Sequence, residues 1–224
     1  MPSPGKFDLC YAFIVKYVPM KTKQKLILVA LGTMAVMSCF AYTTLNGSFP
    51  LTNKCAMDSK EALIGKIVDH MKEEDATIAE DKLRNVAKMI YEASEDYSVD
   101  YRLILAIVKI ESNFKHNAVS PKGARGLLQV KPSLAKFIAR DIGMQWGGPK
   151  TLDEPDKNIK IGVHLFSELV ENFDNITMAL HAYHVGPTKL KTILSEKRKP
   201  DKSFINLVLT EYKRNKNFLP DPYQ

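Results

Sequence analysis

Apolar residues recur along most of this chain with a helical period. Leu63, Ile64, Ile67, Val68 and Met71 mark one amphipathic stretch, and Leu83, Val86, Ala87, Ile90 and Tyr91 mark a second. The second opens behind Glu80 and Asp81, acids that suit the positive end of a helix dipole. Tyr97-Ser98-Val99-Asp100 interrupts the pattern, and Asp100 is placed to cap the run YRLILAIVKIESNF. There Leu103, Ile104, Ile107 and Val108 share a face, while Ala106 and Ile110 make the helix apolar almost all round, which predicts the central helix of a core. Residues 115–126, KHNAVSPKGARG, read as turns, and Pro132 then suits the first turn of another helix. Further helices are predicted at 158–172, 176–184, 188–195 and 203–215. No stretch of four or more residues alternates apolar and polar, so the pattern argues for a mainly α fold without an extended sheet.

The N-terminus follows a different rule. Seventeen uncharged residues, Leu26 to Tyr42, come directly after the basic stretch KTKQK, the layout of a positive region and apolar core in an export signal. Met20 precedes Lys21, and a chain starting there would have the length of a standard secretory signal. Residues 1–41 are therefore expected to be a signal peptide or membrane anchor, with Met20 an alternative start. Val36-Met37-Ser38-Cys39 resembles a lipoprotein box, although Met37 fits it poorly, so lipidation of Cys39, cleavage after Ala41 and retention as an anchor all stay open. The expected location is the cell envelope, periplasmic or otherwise extracytoplasmic, tethered or secreted. Residues 42–58, with Gly47, Ser48 and Pro50, read as a linker; 59–84 as a helical extension; 85–195 as the main helical domain; and 196–224 as a C-terminal helix and tail.

Composition adds limits. At 224 residues, 45% hydrophobic and 25% charged, the chain has the proportions of one ordinary globular domain plus an extra segment, which excludes collagen-like, coiled-coil and wholly disordered readings. The net charge is +7, but Lys6, Lys16, Lys21, Lys23 and Lys25 against Asp8 place four of those charges before residue 42. The remaining +3 is too mild for a nucleic-acid binder and suits loose attraction to an anionic polymer such as a bacterial wall. Of the three cysteines, Cys10, Cys39 and Cys55, none follows residue 55, so neither a disulfide framework nor a cysteine metal cluster is expected in the main domain; a Cys39–Cys55 bridge has no support in the spacing. His70, His116, His164 and His181 lack ligand spacing, and no metal or cofactor is expected. The chain is expected to be a monomer.

Glu111 is the residue to explain. It closes the apolar run Leu103 to Ile110, where the negative end of the helix dipole and apolar neighbours both disfavour ionisation and raise a carboxyl pKa. An acid still protonated near neutrality is what glycosidic cleavage needs, although alone the position also suits a solvated helix-terminal glutamate. Further motifs follow. Glu111-Ser112, then SPKGARGLLQ from Ser120 to Gln129, then Asn158-Ile159 with Gly162 and Leu165, then AYHVGP from Ala182 to Pro187 stand in the order and spacing of a known family.

Over roughly residues 85–195 the chain resembles the soluble lytic transglycosylase (SLT) domain. That resemblance implies a lysozyme-like, mainly helical fold whose cleft binds the glycan strands of peptidoglycan, alternating N-acetylglucosamine and N-acetylmuramic acid. It makes Glu111 the catalytic acid, places Ser120 and Gln129 near the acetamido group, and has Tyr183, beside His184, steer the carboxyl of Glu111. The implied reaction cleaves the β-1,4 bond and closes a 1,6-anhydro ring on muramic acid without water. A hydrolytic muramidase, open because Asp141, Asp153, Glu154 and Asp156 stand where they could fold back over the cleft, and a non-catalytic wall-binding protein are the alternatives on the same fold. Leu128 replaces a common Met, His184 a common Asn, and Lys131 an apolar residue usual near the sugars. Gly123 and Gly126 suit either a tight turn or close backbone approach to sugar, and Trp146 either a sugar-stacking or a core-capping place.

Overall fold

A computed structural model describes residues 51–74, 80–173 and 175–222. The apolar run 26–42 and Cys39, with the expected signal, anchor and lipid site, lie outside the described residues, and no described helix is long and apolar enough to cross a membrane. The chain divides into two compact units, Met1–Asp58 and Ser59–Gln224; the architecture below is that of the second.

Helix α1, Leu51–Glu73, begins inside the segment 42–58 expected as linker. After Pro50 the sequence holds no Pro or Gly until Gly65, so no helix breaker stops the element short of Leu51. There follow α2 (Glu80–Tyr97), α3 (Tyr101–Ser112), α4 (Pro132–Asp141), a 3-10 turn (Pro149–Asp153), α5 (Pro155–Phe173), α6 (Ile176–Val185), α7 (Pro187–Ser195) and α8 (Ser203–Phe218). Among the described residues the β content is limited to isolated bridges from Val119 to Arg125 and from Arg125 to Val130, so the mainly helical expectation holds.

The core forms around α3. Every residue from Tyr101 to Val108 is buried, as the all-round apolar run predicts. Asp100 caps this helix by accepting from the Arg102 N–H at 2.9 Å. The Arg102 guanidinium grips both carboxylate oxygens of Asp100 and reaches Asp221 at 3.2 Å. From α8, the Tyr212 hydroxyl donates to Asp100 at 2.8 Å, and Asn215 donates to the Arg102 carbonyl and pairs with His70 of α1, each at 2.8 Å. The segments 59–84 and 196–224, which sequence sets apart from 85–195, thus lie in one compact unit with it. Ile64, Ile67 and Met71 on one side and Ile205 and Val208 on the other are buried in the same core. On the other side of that core α5 packs against α2, α4 and α6.

Candidate active site

Glu111 owes its position to an abrupt helix end. Ser112 bonds back to the Val108 carbonyl, and Asn113 turns left-handed (φ 48°), its N–H closing on Lys109. Asn tolerates that conformation better than most residues. Phe114 is left-handed too, at φ 61°, and its ring is only 2% exposed, so burial of the ring fixes a turn its backbone disfavours. The helix stops one turn past its most apolar section, leaving Glu111 on the border between core and solvent.

Residues 115–131 form the facing wall. Ser120 Oγ accepts from the Ala124 N–H at 3.0 Å, which shapes the turn and leaves the hydroxyl proton for donation elsewhere. Arg125 binds Asp153 with two bonds, 3.0 and 2.7 Å, clamping the wall to the 3-10 turn. Asn158, fully buried on α5, accepts from the Leu128 N–H at 2.8 Å and donates to the Arg125 and Leu152 carbonyls at 3.0 and 2.9 Å. Gly126 sits against this bracket. Its φ is +79°, and a Cβ there would lie 2.1 Å from Asn158 Nδ2, so both conformation and space require glycine. Gly123 has φ +77° with open space around it, a turn requirement only. Leu128 lies against Gly162, where a Cβ would meet Leu128 Cδ1 at 2.5 Å.

Between these walls lies a cleft of about 480 Å³, within the range of small-ligand sites. Glu111, Ser120, Gln129, Tyr183 and His184 all line it. Burial pushes the Glu111 carboxyl up to about 7. Gln129, left-handed at φ 46°, donates its amide nitrogen to the Gly126 and Ala118 carbonyls at 2.9 and 3.1 Å, so its donors hold the loop and its carbonyl oxygen is what remains. The Tyr183 hydroxyl donates to the Leu128 carbonyl at 2.6 Å. Among the described residues no hydrogen bond joins it to Glu111. Burial, with the Glu111 charge second, raises its pKa well above 10.0. With its proton committed to Leu128, the hydroxyl has only acceptor capacity left. His184 is stacked on Phe204 with ring centroids 4.2 Å apart, and burial lowers its pKa below 6.5.

The Transglycosylase SLT domain family matches residues 88–206, more than half of the 224-residue chain. The chain belongs to this family. It is 31% identical over 134 residues to the soluble lytic murein transglycosylase of Salmonella typhimurium, covering 59% of this chain and 20% of that protein. It is 31% identical over 117 residues to the transglycosylase of Enterobacteria phage PRD1, covering 52% and 41%. With the membrane-bound lytic murein transglycosylase F 1 of Alkalilimnicola ehrlichii it shares 33% over 113 residues, covering 47% and 21%. The aligned region spans between a fifth and about two fifths of these relatives' own length.

Within this SLT domain the four acids that stood near the cleft in sequence do not line it. Asp153 is held by Arg125, Glu154 pairs with Lys157 at 2.7 Å, Asp156 lies in the first turn of α5, and Asp141 ends α4 near His164 and Glu168. Trp146 packs against the core. Two features escaped the sequence. The bracket formed by Asn158 links residues thirty apart, and nothing local distinguishes it from a surface asparagine. Two clusters, His70 with Glu74 and Glu211, and His164 with Glu168 and Asp141, each pair a histidine with a glutamate four residues on; that helical spacing was the available signal. In the first, Lys109 and Arg214 already pair with Glu74.

Proposed function

We propose that this SLT domain is a peptidoglycan lytic transglycosylase in the cell envelope, cleaving the β-1,4 bond after N-acetylmuramic acid and leaving a 1,6-anhydro end. One observation carries the reading: a single carboxyl, Glu111, held near 7 by burial, on the wall of a cleft whose described lining holds no second carboxylate. Glycosidases that activate water place a second carboxyl about 6.5–9.5 Å away, and those that form a covalent intermediate about 5–5.5 Å away.

One acid suffices when the nucleophile belongs to the substrate. Protonated Glu111 gives its proton to the bridging oxygen as the C1–O bond breaks. The neighbouring acetamido oxygen stabilises the positive charge at C1, and the C6 hydroxyl of the same sugar attacks that carbon. Ionised Glu111 takes the hydroxyl proton and returns to its starting state. No water is consumed, and the products together have the mass of the starting strand. Because the hydroxyl is tethered to the reacting sugar, its effective concentration replaces the missing carboxylate. The apolar surroundings of Glu111 serve both halves, since they keep the acid protonated and make its anion a willing base.

The test is the mass of the products from purified sacculi. Anhydro ends are expected, with activity lost in Glu111→Gln, whose amide has no proton to give. Products heavier by one water per cut would make the enzyme a hydrolase and overturn the reading.

A further inference from the structure

Lys122, Lys131 and Lys189 line the cleft, each on an exposed position of a different segment: the turn before Gly123, the residue preceding α4, and α7. None is paired with a carboxylate or hydrogen-bonded by its side chain among the described residues. Arg125, on the same wall, is by contrast neutralised by Asp153. The cleft's acid does not balance them either. Glu111 is governed by its own burial, and the two lysines whose field is felt inside the cleft, Lys122 and Lys189, act on His184, opposed there by Asp201. An ammonium group donates hydrogen bonds to hydroxyl and amide oxygens of neutral sugar, but three unpaired positive charges are matched only by a charged ligand. They fit negative charge brought by the substrate.

We propose that Lys122, Lys131 and Lys189 select glycan that carries carboxylates on its sugars beside the bond to be cut. The inference rests on the proposed function and names the substrate form that this cleft prefers. Muramic acid bears a lactyl arm, and either the arm's own carboxylate or those of a peptide attached to it supply the charge. Exposed lysines that meet such groups contribute modestly each, and mostly by drawing the strand in, so their effect falls on KM and on salt dependence while kcat stays with Glu111. With the modest gain of an exposed pair at each lysine, the three together predict a preference of roughly threefold to 150-fold.

The experiment compares three glycans: peptide-bearing sacculi with free carboxylates, the same sacculi with those carboxylates converted to amides, and sacculi stripped of peptide so that only the lactyl carboxylate remains. With the full protein, kcat/KM is expected to favour free over amidated carboxylates by about fivefold at low salt, the difference residing in KM and shrinking in 0.5 M NaCl, where the Debye length falls to about 4 Å. The triple variant Lys122→Met, Lys131→Met, Lys189→Met should bring the ratio to about one, and the corresponding triple Arg variant should restore it. The stripped glycan shows whether the lactyl or the peptide charge is read. Cosedimentation with free and amidated sacculi measures the same preference without turnover. A ratio near one in the unaltered protein, or the same ratio in the Met variant, overturns the inference while anhydro products still uphold the function. Absence of anhydro products from every glycan overturns the function, and cosedimentation then still decides the charge preference.

Discussion

A carboxyl that titrates at about 7 is protonated in a large fraction of molecules at neutral pH, whereas an ordinary one at 4.5 is almost entirely ionised. Folding therefore holds the Glu111 proton more tightly than the unfolded chain does. Its contribution to stability is complete below 4.5 and is lost as pH rises through about 7. Glu111→Gln removes the ionisable group, so urea titrations should show the variant more stable at pH 8 by about 1–3 kcal/mol and close to the unaltered protein at pH 4. The same proton sets the basic limb of kcat/KM, expected near 7 with the slope of one group. His184→Asn should leave that limb in place, because His184 titrates below 6.5. Tyr183→Phe should cost about 1–3 kcal/mol of stability, since the Leu128 carbonyl loses its partner, and also leave the limb in place. A limb displaced by His184→Asn would assign the titration to the histidine. The upward direction of the Glu111 pKa was legible in sequence, because it follows from a run of apolar neighbours. Sequence could not show that the Tyr183 hydroxyl turns to Leu128, fifty-five residues away, instead of to Glu111.

Among the elements, helices that read clearly in sequence are those whose apolar stripe meets the core. Asp100 capping α3 and Pro132 opening α4 were legible because caps and first turns are local chemistry. The start of α1 was not, since its first residues carry no apolar period to mark it. The wall 115–131 was legible as turns but not as a rigid part, because its rigidity comes from Asn158 and Asp153 on later segments. Asn158→Ala should strand the buried Leu128 N–H and two carbonyls and cost about 2–4 kcal/mol by denaturant unfolding. Gly126→Ala should cost at least as much, given its positive φ and the 2.1 Å contact. Both should lower kcat more than they raise KM, because the wall positions groups around the reacting bond.

For the whole molecule, the boundary drawn at 195 from motif spacing is not an edge of the fold. Helix α8 supplies Ile205 and Val208 to the core and satisfies Asp100, Arg102 and His70 on α3 and α1. Deleting residues 203–222 should abolish the cooperative thermal transition seen by circular dichroism. A chain beginning at Leu51 should keep that transition, as among the described side chains of α1 the buried positions begin at Ile64. Loss of the transition in the second case, or its survival in the first, would show that the core is bounded elsewhere. Such long-range closure left no mark in local sequence: the 203–215 stripe predicted a helix but not what it would cover.

The central claim is that burial at the end of α3 keeps Glu111 protonated, so that one carboxyl performs both proton transfers. The most direct measurement is the titration of its side-chain carboxyl carbon by NMR, with glutamate ¹³C-labelled and Glu111→Gln used to assign the signal. A midpoint at about 7 is predicted. A midpoint at the ordinary 4.5 would contradict the account, because an acid ionised at neutral pH has no proton to give the leaving oxygen.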